Sequence, residues 1–196
     1  VIVRPYFGDP GRGLVEIAAA NKVHLIAVGA HQRHGIHRLA QFSVSRDVLH
    51  RSGMNVVCVP VTAAFDAREA HLPDFQRVLV ATDFSELGNT AIPFACALCS
   101  GGLVRIVHVA TSRVRSRSRP ATDGSGDLAE RLRDLIPRET GAHCQPPEVA
   151  VLEDTDVAAA ICAEAERFGA DVVCLASHGL GVSRALHGSV TKTVLK

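Results

Sequence analysis

An internal repeat is the feature of this sequence that most constrains its fold. Two stretches of the chain align with each other. When 147 is added to the residue number, Asp9 aligns with Asp156, and the alignment continues from there without a gap. One residue is then missing from the second copy, so the offset becomes 146 and Ser43 aligns with Ser189. Self-similarity at a fixed offset is the sequence signature of a repeated structural unit. The chain of 196 residues therefore contains two homologous units.

Both copies alternate short apolar strands with alanine-rich helices. This pattern is typical of parallel sheets that have right-handed crossovers and helices on both faces. The composition agrees, because hydrophobic residues make up 47% of the chain while aromatic residues make up only 4%. The sequence thus predicts an α/β fold of flavodoxin-like or Rossmann-like units in tandem. We expect a flavodoxin-like strand order with a switch point beside the first strand.

The repeat also divides the chain into domains. Residues 76–147 have no counterpart in the first copy, and the last strand of the first copy has none in the second. We expect residues 1–62 to be the C-terminal half of a first unit. Residues 63–75 are polar and punctuated by proline, which predicts a linker. Residues 76–196 would form a second unit that lacks its last strand.

Charge and hydropathy exclude several classes of partner. The formal net charge is +1 with histidine neutral, so no overall field attracts nucleic acid or an anionic membrane. No apolar run approaches the ~20 residues that a membrane-spanning helix needs. Arg4 and Asp9 stand where a signal peptide would be apolar. The sequence predicts a soluble, cytoplasmic protein that holds any charged ligand in a local site.

The cysteines and histidines favour neither redox chemistry nor a metal centre. Cys96 and Cys99 form a C-x-x-C late in a predicted helix, whereas a redox pair lies where a helix starts. We interpret them as reduced core residues. Three histidines recur at every third position in a loop of the first copy, namely His31, His34 and His37. No nearby cysteine or carboxylate completes a site around them, so we predict no metal centre.

The most informative stretch lies near the end of the chain. A small-residue loop, Ala176-Ser177-His178-Gly179, leaves a predicted strand, and eight residues later Gly188-Ser189-Val190-Thr191 opens a helix. Glycine lets backbone N–H groups approach a ligand and a helix N-terminus favours an anion, so the pattern indicates phosphate binding. The hydroxyls of Ser189 and Thr191 suit phosphate oxygens or Mg²⁺. The alternative is that the glycines are turn residues and Ser189 only caps the helix.

A second candidate ligand follows the predicted strand Val78–Thr82. Asp83 lies at the carboxyl end of that strand, where open α/β sheets bind ligands. Its carboxylate suits a hydrogen bond from a ribose hydroxyl or from a base. The alternative is that Asp83 or Ser85 caps the next helix. Both interpretations stay open on the sequence alone.

Three phrases of the second copy carry a resemblance to a known family. They are Val78-Leu79-Val80-Ala81-Thr82-Asp83-Phe84-Ser85, the strand end His108-Val109, and Ser177-His178-Gly179 with Gly188-Ser189-Val190. Together they resemble the universal stress protein family, and the resemblance covers nearly the whole chain apart from the linkers. Members commonly fold as five-stranded parallel α/β units, singly or in tandem, and pair through the last strand. Many bind ATP at a motif written as G, two residues, G, nine residues, G, then Ser or Thr.

The resemblance implies a site for an adenine nucleotide in the second unit. Asp83 and Val109 would flank adenine and ribose. The implied cofactor is ATP, with Mg²⁺ as a bridging ion. The loop and the helix start would surround the phosphates with the residues Ala176, His178, Gly179, Gly188, Ser189, Val190 and Thr191.

The sequence departs from this motif in both copies. Ala176 stands where the first glycine is expected, and the last spacer, residues 180–187, has eight residues instead of nine. Alanine costs little there if φ is negative and about 1 kcal/mol or more if φ is positive. In the first copy Gln32 and Phe42 replace the second and third glycines. We therefore predict that only the second unit binds ATP and that the first is degenerate.

A nucleotide-responsive regulatory module of the stress response is the first functional hypothesis. ATP would order the glycine loop and bias contacts with the other copy or with a second chain. Homo-oligomers would form through the last-strand edge, which Val56–Val59 represents in the first copy. Two alternatives are slow ATP hydrolysis that uses Thr191 and a metal ion, and an interaction scaffold without nucleotide. The sequence shows no nucleophile with a base, so no catalytic residue is assigned.

Overall fold

The computed structural model describes residues 8–30, 44–60, 74–111, 124–138, 144–176 and 189–194. The chain divides into two units, residues 1–70 and 71–196. The strand expected at the start of the chain, most of the expected linker and the histidine loop of the first unit lie outside the described residues. None of the helices in the described ranges has the length and apolar content that a membrane span requires.

The first unit pairs two parallel strands and packs two helices with them. Its elements are α1 (Pro10–Ala20), β1 (Leu25–Ala30), α2 (Val44–Arg51) and β2 (Asn55–Pro60). Its core consists of one residue from α1, one from β1 and one from α2, which are Ala18, Ile26 and Val48. Each element thus contributes the apolar face that the sequence pattern predicts.

The second unit contains a four-stranded parallel sheet in its described residues. The strand order is β5-β4-β3-β6. The predicted α/β fold with parallel sheets is confirmed. The elements are β3 (Arg77–Ala81), α3 (Glu86–Asn89), α4 (Ala91–Leu98), β4 (Leu103–Ala110), α5 (Gly124–Asp134), β5 (Glu148–Glu153), α6 (Val157–Phe168), β6 (Val172–Leu175) and α7 (Ser189–Val194).

Helices cover both faces of this sheet. On one face α4 and α5 pack through Ile92, Cys96 and Leu132. On the other face α6 packs through Ile161 and Phe168, and α7 packs beside it. Right-handed crossovers that run in opposite directions across a sheet place their helices on opposite faces. The chain therefore runs from β3 outward to β5 on one face and returns to the far side of β3 on the other.

The strand order is Rossmann-like and not the flavodoxin-like order that we expected. Counted within the second unit, the strands follow the order third, second, first, fourth, as in dinucleotide-binding sheets. The order depends on the face that each crossover helix covers, and an amphipathic helix pattern does not specify a face. The switch point nevertheless lies beside the first strand, between β3 and β6.

The single helix that the sequence predicts over residues 86–99 is interrupted at Thr90. Pro93 has no N–H to donate to the carbonyl of Asn89, and its ring would clash with that carbonyl. The Thr90 hydroxyl instead donates to the carbonyl of Leu87 at 2.6 Å. The helix therefore ends as α3 and begins again as α4.

The two copies begin their equivalent helices with the same cap. Asp9 caps α1 by accepting a hydrogen bond from the N–H of Gly11 at 3.0 Å. Asp156 caps α6 by accepting from the N–H groups of Ala158 and Ala159, both at 3.1 Å. An aspartate at this position satisfies N–H groups that the first helical turn leaves without a partner.

Candidate functional site

The carboxyl ends of three strands meet at one edge of the second sheet. Ala81 of β3 lies opposite Val107 of β4 and Leu175 of β6. Asp83, Val109 and Ala176 follow these residues by one or two positions and therefore lie at the same edge. This edge includes the switch point between β3 and β6, which is where open α/β sheets bind ligands.

Asp83 is half-buried, and its carboxylate organises the loop after β3. Its Oδ1 accepts hydrogen bonds from the N–H of Ser85 at 3.0 Å and from the Ser85 hydroxyl at 2.5 Å. The Ser85 Oγ accepts in turn from the N–H of Gly88 at 2.9 Å. Ser85 is thus the cap of α3, and Asp83 holds the capping hydroxyl in place.

The turn that carries Asp83 is fixed by hydrogen bonds on both sides. The Thr82 hydroxyl accepts from the N–H of Phe84 at 3.0 Å and donates to Asn89 Oδ1 at 2.7 Å. The Thr82 carbonyl lies 2.9 Å from Nδ1 of His108. Because a carbonyl only accepts, Nδ1 carries the imidazole proton in this contact. The loop after β3 is therefore anchored to β4.

Phe84 combines a bulky side chain with a left-handed backbone, at φ +62°. Such a conformation costs about 1 to 2 kcal/mol for a residue with a Cβ. The Phe84 ring stacks with the His108 ring at 4.5 Å between centroids, and the Arg131 guanidinium of α5 lies 4.2 Å from the ring centroid. Each contact stabilises by roughly 0.5 to 1 kcal/mol, so together they offset the strain. No pattern in the sequence predicted this strained turn.

Gly88 supports the Asp83 carboxylate and was also missed in the sequence. A Cβ at this position would lie 2.5 Å from Asp83 Oδ1, 2.9 Å from Ser85 Oγ and 3.2 Å from Thr82 Oγ1. Only glycine leaves room for this arrangement. The available signal was a glycine inside a predicted helix, where it costs about 0.5 to 1 kcal/mol relative to alanine.

Val109 contributes to the edge differently from Asp83. It is 8% exposed, and its side chain packs in the core with Leu79, Ile161 and Phe168. The side chain is thus buried in the core and does not face the edge of the sheet. Val109 therefore presents mainly backbone to any ligand at the edge.

One hydrogen bond joins α7 to the end of β6. The Thr191 hydroxyl, which is buried, donates to the carbonyl of Ala176 at 3.2 Å. Its proton points to Ala176 in this contact, and the lone pairs of its oxygen remain available to a ligand. The distance is longer than the usual ~2.7 to 2.8 Å of an O–H···O bond, so the bond is weak.

Ala176 adopts a conformation in which alanine is not strained. Among the described residues that carry a side chain, only Lys22 and Phe84 have a positive φ. The φ of Ala176 is therefore negative. The alanine that replaces the expected first glycine costs little at this position.

The second unit and the first both match one protein family. The sequence model of the Universal stress protein family matches residues 1–60 and 74–196. The chain belongs to the universal stress protein family. None of the curated proteins compared with the chain matches it.

Two solved structures show the same fold, and a third is similar to part of the chain. A universal stress protein from Archaeoglobus fulgidus DSM 4304 is 24% identical with a TM-score of 0.63, and the match covers 99% of this chain and 64% of that chain. This universal stress protein thus spans less than two thirds of that structure. The hypothetical protein MJ0577 is 21% identical with a TM-score of 0.50, covering 63% of this chain and 90% of its own. A universal stress protein in complex with cAMP is 20% identical with a TM-score of 0.44, covering 62% and 90%.

Several expected site residues of this universal stress protein lie outside the described residues. They include the middle of the glycine loop, His178, Gly179 and Gly188, and the substituted positions of the first copy, Gln32 and Phe42. Ser189 is the first residue of α7. The described part of the site consists of Asp83, Val109, Ala176, Ser189, Val190 and Thr191.

The interpretation of Cys96 and Cys99 as core residues is confirmed. They are 6% and 2% exposed and lie in the core beneath α4. Burial raises the pKa of Cys96 to about 11, which is opposite to the lowered pKa of a redox motif. Within the described ranges no three cysteine, histidine or acidic side chains lie close enough to hold a metal ion.

An ion-pair network that the sequence did not predict lies near the amino ends of the strands. Glu164 of α6 is buried and pairs with Arg105 at 2.9 Å and with Arg167 at 2.6 Å. Arg105 also pairs with Glu148 at 2.5 Å and lies 4.2 Å from the ring centroid of Phe168. The network lies at the end of the sheet opposite to Asp83 and Ala176. Its position indicates a role in the stability of this universal stress protein.

Proposed function

We propose that the second unit of this universal stress protein binds an adenine nucleotide, ATP with Mg²⁺, at the switch point between β3 and β6. The observation that carries the proposal is the convergence of Asp83, Val109 and Ala176 at one edge of the sheet. Adenine and ribose would lie against Asp83 and Val109. The phosphates would extend past Ala176 to the start of α7.

The chemistry of the described donors fits a nucleotide. A carboxylate accepts hydrogen bonds from ribose hydroxyls, and Asp83 is held in place by Ser85 before any ligand arrives. The N–H groups of Ser189, Val190 and Thr191 belong to the first turn of α7, where they make no intrahelical bond and suit phosphate oxygens.

Thr191 fits a ligand to Mg²⁺ better than a donor to phosphate. Its proton points to the carbonyl of Ala176, and the lone pairs of its oxygen remain available. A bound Mg²⁺ would neutralise part of the phosphate charge. We assign no hydrolytic step to this site, so the proposal is one of binding and regulation.

Assembly is the output that we propose for nucleotide binding. In the first unit, β2 pairs with β1 on one side, and its other edge pairs with no strand of the described residues. Val59 of β2 is 49% exposed. Pairing of such an edge with a second chain would give a homo-oligomer. The proposal includes a cytoplasmic location, which rests on the sequence.

Calorimetric titration with ATP and Mg²⁺ tests the proposal, with AMP as the control nucleotide. We expect saturation near one site per chain, because the motif of the first unit is degenerate. Asp83→Asn keeps the shape of the side chain and removes its charge, so we expect Kd to rise about tenfold or more. The matched control is Glu86→Gln, a neighbouring exposed acid, which should leave Kd unchanged.

A nucleotide-free interaction scaffold is the competing function. It is favoured by one observation, which is that Asp83, Ser85 and Gly88 form a complete helix cap without any ligand. No binding at millimolar ATP would contradict the nucleotide proposal and support the scaffold. Equal affinity of Asp83→Asn and the parent protein would contradict the assigned role of Asp83.

A further inference from the structure

Four cysteines of the second unit gather on the face of the sheet that α4 covers. Cys96 and Cys99 belong to the core there, and the half-buried Cys144 and Cys174 pack against the same core. Cys162 is half-buried on α6, on the opposite face. The nucleotide proposal uses none of these thiols.

The turn after α4 holds the sulfur of Cys99 in a fixed place. Its Sγ lies 4.0 Å from the carbonyl oxygen of Gln76, and that carbonyl also accepts from the N–H of Leu103 at 2.7 Å. A Cβ on Gly102 would lie 1.9 Å from the same oxygen, so the turn admits only glycine there. The turn is therefore tightly packed around Cys99.

The segment before β5 brings Cys144 to the same turn. The N–H of Gln145, the next residue in the chain, donates to the carbonyl of Gly102 at 2.8 Å. Cys144 also packs against the core that contains Cys99. The turn that carries the buried Cys99 is thus hydrogen-bonded to the residue next to the half-buried Cys144, and the two thiols come from segments more than forty residues apart.

The electrostatics agree with this proximity. Burial raises the pKa of both Cys96 and Cys99, and a charge on Cys144 raises the pKa of each further. A hydrogen bond from the N–H of Gly102 acts in the other direction on Cys99 alone. The turn that holds Cys99 is also the turn to which the residue after Cys144 is hydrogen-bonded, so this geometry makes Cys99 the better placed of the two buried thiols for a reaction with Cys144.

We propose that Cys99 and Cys144 form an oxidation site at which a small hydroperoxide converts the two thiols into an intrachain disulfide. The Cys144 thiolate attacks one peroxide oxygen, the O–O bond breaks, and the sulfur becomes a sulfenic acid. With hydrogen peroxide the leaving hydroxide takes up a proton to form water. The Cys99 thiolate then attacks the sulfenic sulfur and displaces a second hydroxide, which leaves as water. Two thiols and one peroxide thus become one disulfide and two waters.

Treatment of the folded full-length chain with hydrogen peroxide tests this inference. Thiols are counted after denaturation, and peptide mapping by mass spectrometry identifies any cross-link. We expect the loss of two of the six thiols, a cross-linked peptide that joins Cys99 to Cys144, and no covalent dimer. Dithiothreitol should restore all six thiols. The readout does not involve ATP, so it stands apart from the nucleotide proposal.

Two variants separate this pair from a general sensitivity to peroxide. Cys144→Ser should abolish the loss of the two thiols, whereas Cys162→Ser should leave it unchanged. Cys99→Ala, which keeps a small apolar residue at this buried position, should also prevent the cross-link while its circular dichroism spectrum stays unchanged. A Cys96–Cys144 cross-link, a covalent dimer, or sulfinic acid on Cys144 without a cross-link would overturn the proposal.

Discussion

Lys22 and Gly169 occupy equivalent positions of the repeat, and both have a left-handed backbone, with φ of +51° and +67°. Each follows a helix that ends in the same way. The N–H of Val23 donates to the carbonyl of Ala18 at 3.2 Å, and the N–H of Ala170 donates to that of Ala165 at 2.9 Å. This is the Schellman ending, which favours glycine at the left-handed residue. The first copy therefore keeps the geometry with a residue that is strained in it.

Substitutions at these two positions should have opposite effects on stability. Lys22→Gly removes the strain, and we expect it to stabilise the first unit by about 0.5 to 1 kcal/mol. Gly169→Ala should destabilise the second unit by about 1 kcal/mol, although its Cβ has room, 3.8 Å from Arg77 Nε. Amide hydrogen exchange of β1 and β6 measures both in one chain. Faster amide hydrogen exchange in β1 of the Lys22→Gly variant would contradict the inference that Lys22 is strained.

Gly88→Ala should disturb the candidate site directly. The new Cβ would lie 2.5 Å from Asp83 Oδ1, so the carboxylate must move. We expect a destabilisation of about 1 to 3 kcal/mol and an increase of about tenfold or more in the Kd for ATP. Urea unfolding and calorimetry give the two values.

Gly126→Ala is the matched control for this change. A Cβ at Gly126 in α5 meets no atom within 4 Å. Alanine should therefore stabilise that helix by about 0.5 to 1 kcal/mol and leave the affinity for ATP unchanged. Equal effects of the two substitutions on affinity would refute the role of Gly88.

Glu164→Gln should reveal the contribution of the buried ion-pair network. The Glu164 side chain is only 3% exposed and pairs with Arg105 and Arg167. Loss of its charge leaves Arg105, which is 18% exposed, with Glu148 alone, so we expect a cost of about 2 to 3 kcal/mol in urea unfolding. Glu16→Gln removes the exposed Arg12–Glu16 pair and should cost less than about 0.5 kcal/mol. If the two substitutions lowered the free energy of unfolding by similar amounts, burial would add nothing to the stability that the network contributes.

The thiols of Cys96 and Cys174 should react slowly until the solution is strongly alkaline. Burial raises the pKa of each from 9.0 to about 11, so roughly 0.1% is thiolate at pH 8. Iodoacetamide followed by mass spectrometry should label Cys162 well before either. Because the folded pKa lies above the unfolded one, the associated stability is complete below pH 9 and declines as the pH rises toward 11. Equal labelling of Cys96, Cys174 and Cys162 at pH 8 would contradict the raised pKa values of Cys96 and Cys174.

Sequence patterns predicted the elements well where the interaction is local. The caps Asp9 and Asp156 bind N–H groups within three residues, so the starts of α1 and α6 follow from the sequence. Short apolar runs likewise predicted β3 and β4, because a strand that is covered on both faces is apolar at successive positions. The break at Thr90 was missed although Pro93 signals it, since a proline inside a helical pattern either kinks the helix or ends it, and the pattern alone does not distinguish the two.

The sequence predicted the strand ends that carry the candidate site residues, but not the residues that support them. Asp83 and Ala176 lie at one edge of the sheet because each follows the end of a strand. Gly88 and the hydrogen bond from Thr191 to Ala176 were not, because both depend on how separate segments pack. The sign of φ at Ala176 was likewise beyond the sequence.

The sequence by itself determined the internal repeat and the parallel α/β class. Both follow from patterns of residues along the chain, which can be detected without any contact between distant segments. Only the tertiary structure decided the strand order, the glycine beneath Asp83, the pairing of Glu164 with Arg105 and the packing of Cys144 against the core that contains Cys99. Each of these depends on contacts that form only when the helices and strands pack together, and no local pattern encodes them.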